Sequence, residues 1–202
     1  MTRNRSTRPP SSRRSAAKPL GKLRIIGGDF RRRQLPVLDK PGLRPTPDRV
    51  RETLFNWLGQ ALYGKKVLDL FAGTGALGIE AISRGAARVT FVESDRQVAA
   101  HITRNLETLK THQGDVVVRD AQAFLMQPAQ YFDIVFLDPP FYQGWVAECC
   151  ATLEAGHWLA PEAMVYLETE RDLIPDVPTH WVLHRETQAG ESTARLYQRR
   201  AP

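Results

Sequence analysis

The sequence predicts an α/β protein built on a doubly wound, mostly parallel sheet, and three observations point there. Short apolar runs alternate with helix-patterned stretches from residue 67 to residue 167. A glycine-rich turn, Ala72-Gly73-Thr74-Gly75-Ala76-Leu77-Gly78, follows the first of those runs and opens the first of those helices. After residue 180 the pattern changes to two β-like segments around Gly190, which read as an antiparallel C-terminal hairpin. The 202 residues suffice for one well-cored domain and a small extension.

Residues 1–19 are rich in Arg, Ser and Pro and poor in hydrophobics, so a disordered basic tail is expected. Residues 20–42 read as a small basic β extension, with segments 23–26 and 30–35 flanking the Gly27-Gly28 turn. Residues 43–202 form the expected main domain. Thr46 is the expected N-cap and Pro47 the first residue of a helix carrying Val50, Leu54, Phe55, Leu58 and Leu62. Strands are expected at 67–71, 89–92, 116–118, 134–137 and 164–167, with helices at 76–83, 96–109, 121–126 and 145–153. Segments 181–184 and 194–198 make the terminal hairpin.

Charge is concentrated at one end. The first 33 residues hold eleven Lys/Arg and one acid, a net +10, so an overall +6 leaves the body at −4. A basic arm on a mildly acidic body suits a phosphate-bearing partner. Transit peptides share that composition, although residues 1–19 have few large apolar residues and contain Pro9-Pro10. No apolar run is long enough to span a bilayer, so no membrane partner is expected. The adjacent Cys149 and Cys150 offer neither a disulfide framework nor metal-ligand spacing, which suits a cytoplasmic protein without a metal. They read as two small hydrophobes on a helix.

The glycine-rich turn carries the first chemistry. Gly73 and Gly75 allow a tight turn and close approach of a ligand, and Gly78 allows close helix–strand packing. That pattern alone is shared by several adenosine-containing cofactors. Asp69 discriminates among them: a carboxylate there repels a pyrophosphate but suits the amino group and sulfonium of S-adenosyl-L-methionine. Glu93, ending the second strand, can accept from both ribose hydroxyls, a role that fits either cofactor. Asp120 can accept from the adenine amine or can cap the following helix, and Ala121 offers its N–H to a ring nitrogen. Phe71, Ala72 and Ser94 complete the expected cofactor contacts.

The second chemistry lies at Asp138-Pro139-Pro140-Phe141, at the end of the fourth strand. Two prolines stiffen the backbone and leave its carbonyls unpaired. The Asp138 carboxylate and the Pro139 carbonyl can each accept an N–H from an exocyclic amine, holding it in line for methyl transfer. Phe141 supplies a face on which a base can stack. Asp138, Pro139 and Phe141 are therefore the expected catalytic set.

With both sites placed, the chain resembles class I, Rossmann-like methyltransferases of the Asp/Asn-Pro-Pro-Phe/Tyr type. More narrowly it resembles the bacterial ribosomal RNA small subunit methyltransferase D family, the 16S rRNA guanine-N2 methyltransferases. The resemblance covers residues 22–200. It rests on Arg24-Ile25-Ile26-Gly27-Gly28, on the segment 43–58 beginning Leu43-Arg44-Pro45-Thr46-Pro47, and on the two motifs above. It implies methylation of the 2-amine of one guanine, position 966 in rRNA numbering, in 16S rRNA within assembled 30S subunits. It also implies that the segment around Arg44, Thr46, Arg49 and Arg51 lies beside the active site. A helix start flanked by arginines can hold a phosphate, though some of these arginines can equally form a solvated face. Arg24, Arg31, Arg32, Arg33 and Tyr142 join them as expected RNA contacts, and a monomer is expected. The same motif logic also serves adenine N6. A nicotinamide-dependent oxidoreductase and a non-catalytic RNA-binding scaffold are the readings from other classes.

Overall fold

The computed structural model describes residues 21–43 and 45–201. The expected tail at 1–19, and Arg44, lie outside the described residues.

The N-terminal extension is an antiparallel pair, β1 (Lys22–Arg24) and β2 (Gln34–Pro36), in which Leu23 faces Leu35. Both leucines are buried in the main core, so the pair is packed against the domain body. Helix α1 (Asp48–Leu58) and a 3₁₀ turn (Gly59–Leu62) follow. Then come β3 (Lys66–Asp69), α2 (Ala76–Ser83), β4 (Arg88–Glu93), α3 (Arg96–Thr108), β5 (Gly114–Val118) and α4 (Ala121–Leu125). The chain continues through β6 (Phe132–Leu137), α5 (Trp145–Ala155), β7 (Leu159–Glu170), β8 (Trp181–Ala189) and β9 (Ser192–Arg199).

Seven strands form one sheet in the order β5-β4-β3-β6-β7-β9-β8. The first five are mutually parallel, and β9 runs antiparallel between β7 and β8. The doubly wound sheet and its antiparallel end therefore stand as expected from the alternating pattern. One sheet face packs under α1, α2, α3 and the β1–β2 pair, around Phe91, Phe136 and Tyr166. The other packs under α4 and α5, around Val135, Leu137 and Trp158. Strand order reverses at β3, so the carboxyl ends of β3, β4 and β6 open into one crevice.

Two expectations need correction. Helix α1 starts at Asp48, with Pro47 extended at the cap position and no side chain capping it. The Thr46 carbonyl instead accepts from Arg51 Nε at 3.1 Å, which holds the backbone short of a helix start at Pro47. Strand β7 is longer than its apolar run, because a ladder irregularity carries pairing back from Met164 to Leu159 through Pro161.

Helix α2 anchors the β1–β2 extension and α1. Glu80, fully enclosed, accepts from Ile26 N at 3.0 Å, Gly27 N at 2.8 Å, Arg84 Nε at 2.8 Å and Arg51 Nη1 at 3.3 Å. Ser83 donates to the Gly27 carbonyl at 2.6 Å and accepts from Phe30 N at 3.0 Å. Gly28 has φ +76°, and a Cβ on it would lie 1.8 Å from the Ser83 carbonyl oxygen, so only glycine fits this turn. Arg51 is itself 1% exposed, also reaching the Arg24 carbonyl at 2.9 Å and Asp48 at 2.6 Å. Arg51→Met would leave the buried Glu80 short of a cation and is expected to cost about 3–5 kcal/mol. Arg49→Met, on the exposed side of the same helix, should stay within about 0.5 kcal/mol. Urea unfolding of the two variants checks the contrast.

Candidate cofactor and acceptor site

Strand β3 ends at Asp69, and the chain turns through residues 70–75 into α2. The turn is tied to β4: Ala72 N donates to the Val92 carbonyl at 2.9 Å, and Gly73 N to Glu93 Oε2 at 2.9 Å. Gly73 and Gly75 sit at φ +53° and +79°, the left-handed region, and Gly75 forms the cap of α2. Gly78 serves packing, since a Cβ there would lie 2.2 Å from the Phe91 ring. Its N–H donates to Asp69 Oδ2 at 3.0 Å, so Asp69 braces the helix start as well as facing the site.

A cavity of about 710 Å³ occupies the crevice. Phe71, Gly73, Glu93, Ser94, Asp120 and Ala121 line one part of it, and Asp138, Pro139 and Phe141 another. Leu43, Pro45, Thr46 and Pro47 close it from the loop before α1. That loop is tethered by the Lys40–Asp95 ion pair, whose lysine holds the Asp95 carboxyl below its ordinary range. A smaller recess of about 50 Å³ reaches Asp69 and Asp138 together, beside Thr46 and Gly73. Ala72 lines the recess, and of the expected cofactor residues only Gly75 and Gly78 line neither space; they shape the turn.

These residues fit S-adenosylmethionine. Glu93 uses each carboxylate oxygen once, for Gly73 N and for Asp95 N at 2.8 Å, and each oxygen keeps a lone pair for a ribose hydroxyl. Asp120 caps α4 through Oδ1, accepting from Ala123 N at 2.8 Å, which leaves Oδ2 for a ligand. The capping and cofactor readings of Asp120 are therefore compatible. Burial raises the Asp69 carboxyl from 3.8 to about 7, against the Gly78 N–H, and the Glu93 charge adds to the rise. Burial, then Glu168, then Asp69 push the Asp138 carboxyl well above its ordinary value. Carboxylates crowded in this way favour a ligand that brings positive charge or several N–H donors.

The remaining expected contacts divide sharply. Arg31, Arg32, Arg33 and Arg49 are exposed, and Arg24 is exposed beside Asp48 at 3.3 Å. Arg33 also reaches the Thr108 carbonyl at 3.2 Å. Arg51 is corrected: buried against Glu80 and Asp48, it is no phosphate contact. Tyr142, at φ +61°, lines a separate cavity on the far side of Pro140. Two site residues escape a motif-based reading. Trp145 lines the main cavity and lies against Phe71, ring centroids 5.8 Å apart, and Glu168 lines it at the end of β7's parallel pairing with β6. Its position just past the apolar run 164–167 was the one available signal for Glu168.

A family model described as Conserved hypothetical protein 95 matches residues 23–198. Ribosomal RNA small subunit methyltransferase D of Escherichia coli (strain K12) is 52% identical over 182 residues, 90% of this chain and 92% of that protein. The chain belongs to this methyltransferase family. The member from Haemophilus influenzae (strain ATCC 51907 / DSM 11121 / KW20 / Rd) is 47% identical over 182 residues, 88% of this chain and 94% of its own. The solved structure of the Escherichia coli protein yhhF superposes with a TM-score of 0.84 at 52% identity, covering 90% of this chain and all of that one. S-adenosylmethionine, which Asp69 singles out among adenosine-containing cofactors, is the methyl donor in keeping with such a family.

Because Asp69 titrates near 7, a sulfonium should bind better opposite its charged form. Affinity for S-adenosylmethionine is expected to fall as pH drops from roughly 8 to 6, and Asp69→Asn to flatten most of that fall. S-adenosylhomocysteine, which keeps the amino group but lacks the sulfonium, should show a shallower slope. Titration calorimetry across this window checks all three; an undiminished slope in Asp69→Asn would remove Asp69 from this role.

Proposed function

We propose that the protein transfers a methyl group from S-adenosylmethionine to the exocyclic 2-amine of one guanine, position 966, of 16S rRNA in the 30S subunit. The observation that carries this is a single cavity lined both by Glu93 and Asp120 and by Asp138, Pro139 and Phe141. The family's small-subunit rRNA members, 52% and 47% identical, supply the choice of substrate.

Bound S-adenosylmethionine would supply a methyl group already activated as a sulfonium. The chain's own residues then position and deprotonate the acceptor. A ring-conjugated amine has a delocalised lone pair and is a poor nucleophile. Asp138 and the Pro139 carbonyl accept its two N–H groups and turn the nitrogen toward the donor. When the nitrogen accepts the methyl group, the Asp138 carboxylate would take the proton that nitrogen loses. Its raised pKa makes it a stronger base for this step than an ordinary aspartate. Phe141, half-buried, gives the base a stacking face, and Trp145 with Phe71 walls off water. The exposed Arg24, Arg31, Arg32, Arg33 and Arg49 contact RNA phosphates in this reading, with Thr46 at the cavity mouth.

Incubation with labelled S-adenosylmethionine and 30S subunits lacking the modification, followed by digestion to nucleosides, is expected to place the label in N2-methylguanosine. Label in N6-methyladenosine, or transfer to naked DNA in preference to 30S, would overturn the substrate assignment.

A further inference from the structure

Glu168 stands in the active-site cavity without a part in the chemistry above. Parallel pairing of β6 with β7 puts Leu137 opposite Leu167, so Asp138 and Glu168 leave the ladder as neighbours, on strands about 4.8 Å apart. One row earlier on the same face, Phe136 lies opposite Tyr166. The Tyr166 hydroxyl donates to Glu168 Oε2 at 2.9 Å. Burial, then the Glu168 and Asp138 carboxylates, hold that phenol's pKa well above 10, so it remains a donor. Glu168 is 8% exposed, and its Oε1 has no hydrogen-bond partner among the described residues. No side-chain polar atom sealed from solvent lacks a partner among them, so Oε1 reaches the cavity that Glu168 lines.

Two adjacent acceptors at one site read two adjacent donors. The Watson–Crick edge of guanine presents N1–H and the 2-amine side by side, both donors. Adenine presents its amine beside N1, an acceptor. We propose that Glu168 Oε1 accepts the ring N1–H of the target guanine while Asp138 holds the neighbouring 2-amine, which makes Glu168 the residue that selects guanine over adenine. This rests on the guanine-N2 reading above and names the group that enforces it. A lone pair set against a buried carboxylate is both repelled and unpaired. Sites built to pair a substrate N–H or O–H reject analogues lacking it by factors on the order of 10⁴–10⁵. Tyr166 fixes the glutamate's orientation from the side away from the base.

The discriminating substrate is a 30S subunit reconstituted on 16S rRNA with 2-aminopurine at the target position. It keeps the 2-amine that accepts the methyl group, replaces N1–H by a lone pair and lacks O6, so the change of ratio in Glu168→Gln isolates the N1 contact. The wild-type enzyme should show kcat/KM at least about 100-fold lower on this particle than on its guanine counterpart. Glu168→Gln keeps the Tyr166 contact and adds an amide that can donate to N1. It should lose guanine activity by a similar factor, bring the two substrates within about 10-fold, and bind S-adenosylmethionine as the wild type does. Wild-type turnover of the two particles within about 3-fold would overturn the proposal, and this arm needs no variant to fold. So would a Glu168→Gln enzyme that keeps both its guanine turnover and the wild-type ratio. If the wild type placed no methyl on the guanine 2-amine, the guanine-N2 reading would fall first.

Discussion

A single enclosed carboxylate, Glu80, holds together the parts that make the site. Its four hydrogen bonds join the Ile26-Gly27 turn, Arg51 of α1 and Arg84 at the end of α2. A buried acid of this kind is tolerable only when its partners are complete, so the three elements are fixed as a unit. Arg51 then passes the constraint on, because its Nε holds the Thr46 carbonyl in the loop that closes the cavity. The basic β1–β2 pair, with Arg31, Arg32 and Arg33 exposed on its turn, is thereby set at a defined position relative to the catalytic crevice. An arm held in this way can orient a large RNA as well as attract it.

The crevice itself is a consequence of strand order. β3 and β6 are neighbours whose following connections lead to opposite faces, and the acids that end them, Asp69 and Asp138, converge. Glu93 on one side and Glu168 on the other extend the row across four strands. Burial pushes both Asp69 and Asp138 upward, and neighbouring carboxylates add to it, Glu93 on Asp69 and then Glu168 and Asp69 on Asp138. Under the proposed function, a sulfonium complements one end of this row and the N–H groups of a base the other. In that reading binding energy and catalytic readiness share one electrostatic origin.

Much of this was legible in the residues. Apolar runs located all five parallel strands. The inner four are continuously hydrophobic because they are covered on both faces, while the edge strand β5 is only half-buried and showed through Val116–Val118 alone. The glycine-rich turn and Asp138-Pro139-Pro140-Phe141 located both halves of the cavity. What escaped was polar and long-range. Arg51 by residue type belongs on a surface, and nothing local reveals that Glu80, 29 positions away, will enclose it. Glu168 sits just beyond Leu167, where the apolar run stops, so its place beside Asp138 emerges only with the β6–β7 register. Thr46 looked like a cap by type, yet the role of its carbonyl depended on that same hidden arginine.

Under the proposed function, the groups that bind the cofactor and those that act on the acceptor are separate and meet in one cavity. Single-turnover methyl transfer to 30S subunits by Asp138→Ala, set beside its dissociation constant for S-adenosylmethionine, tests it most directly. Transfer slowed at least about 100-fold, with cofactor affinity within about 3-fold of wild type, is the expected result. Unchanged transfer, or cofactor binding lost along with it, would contradict it.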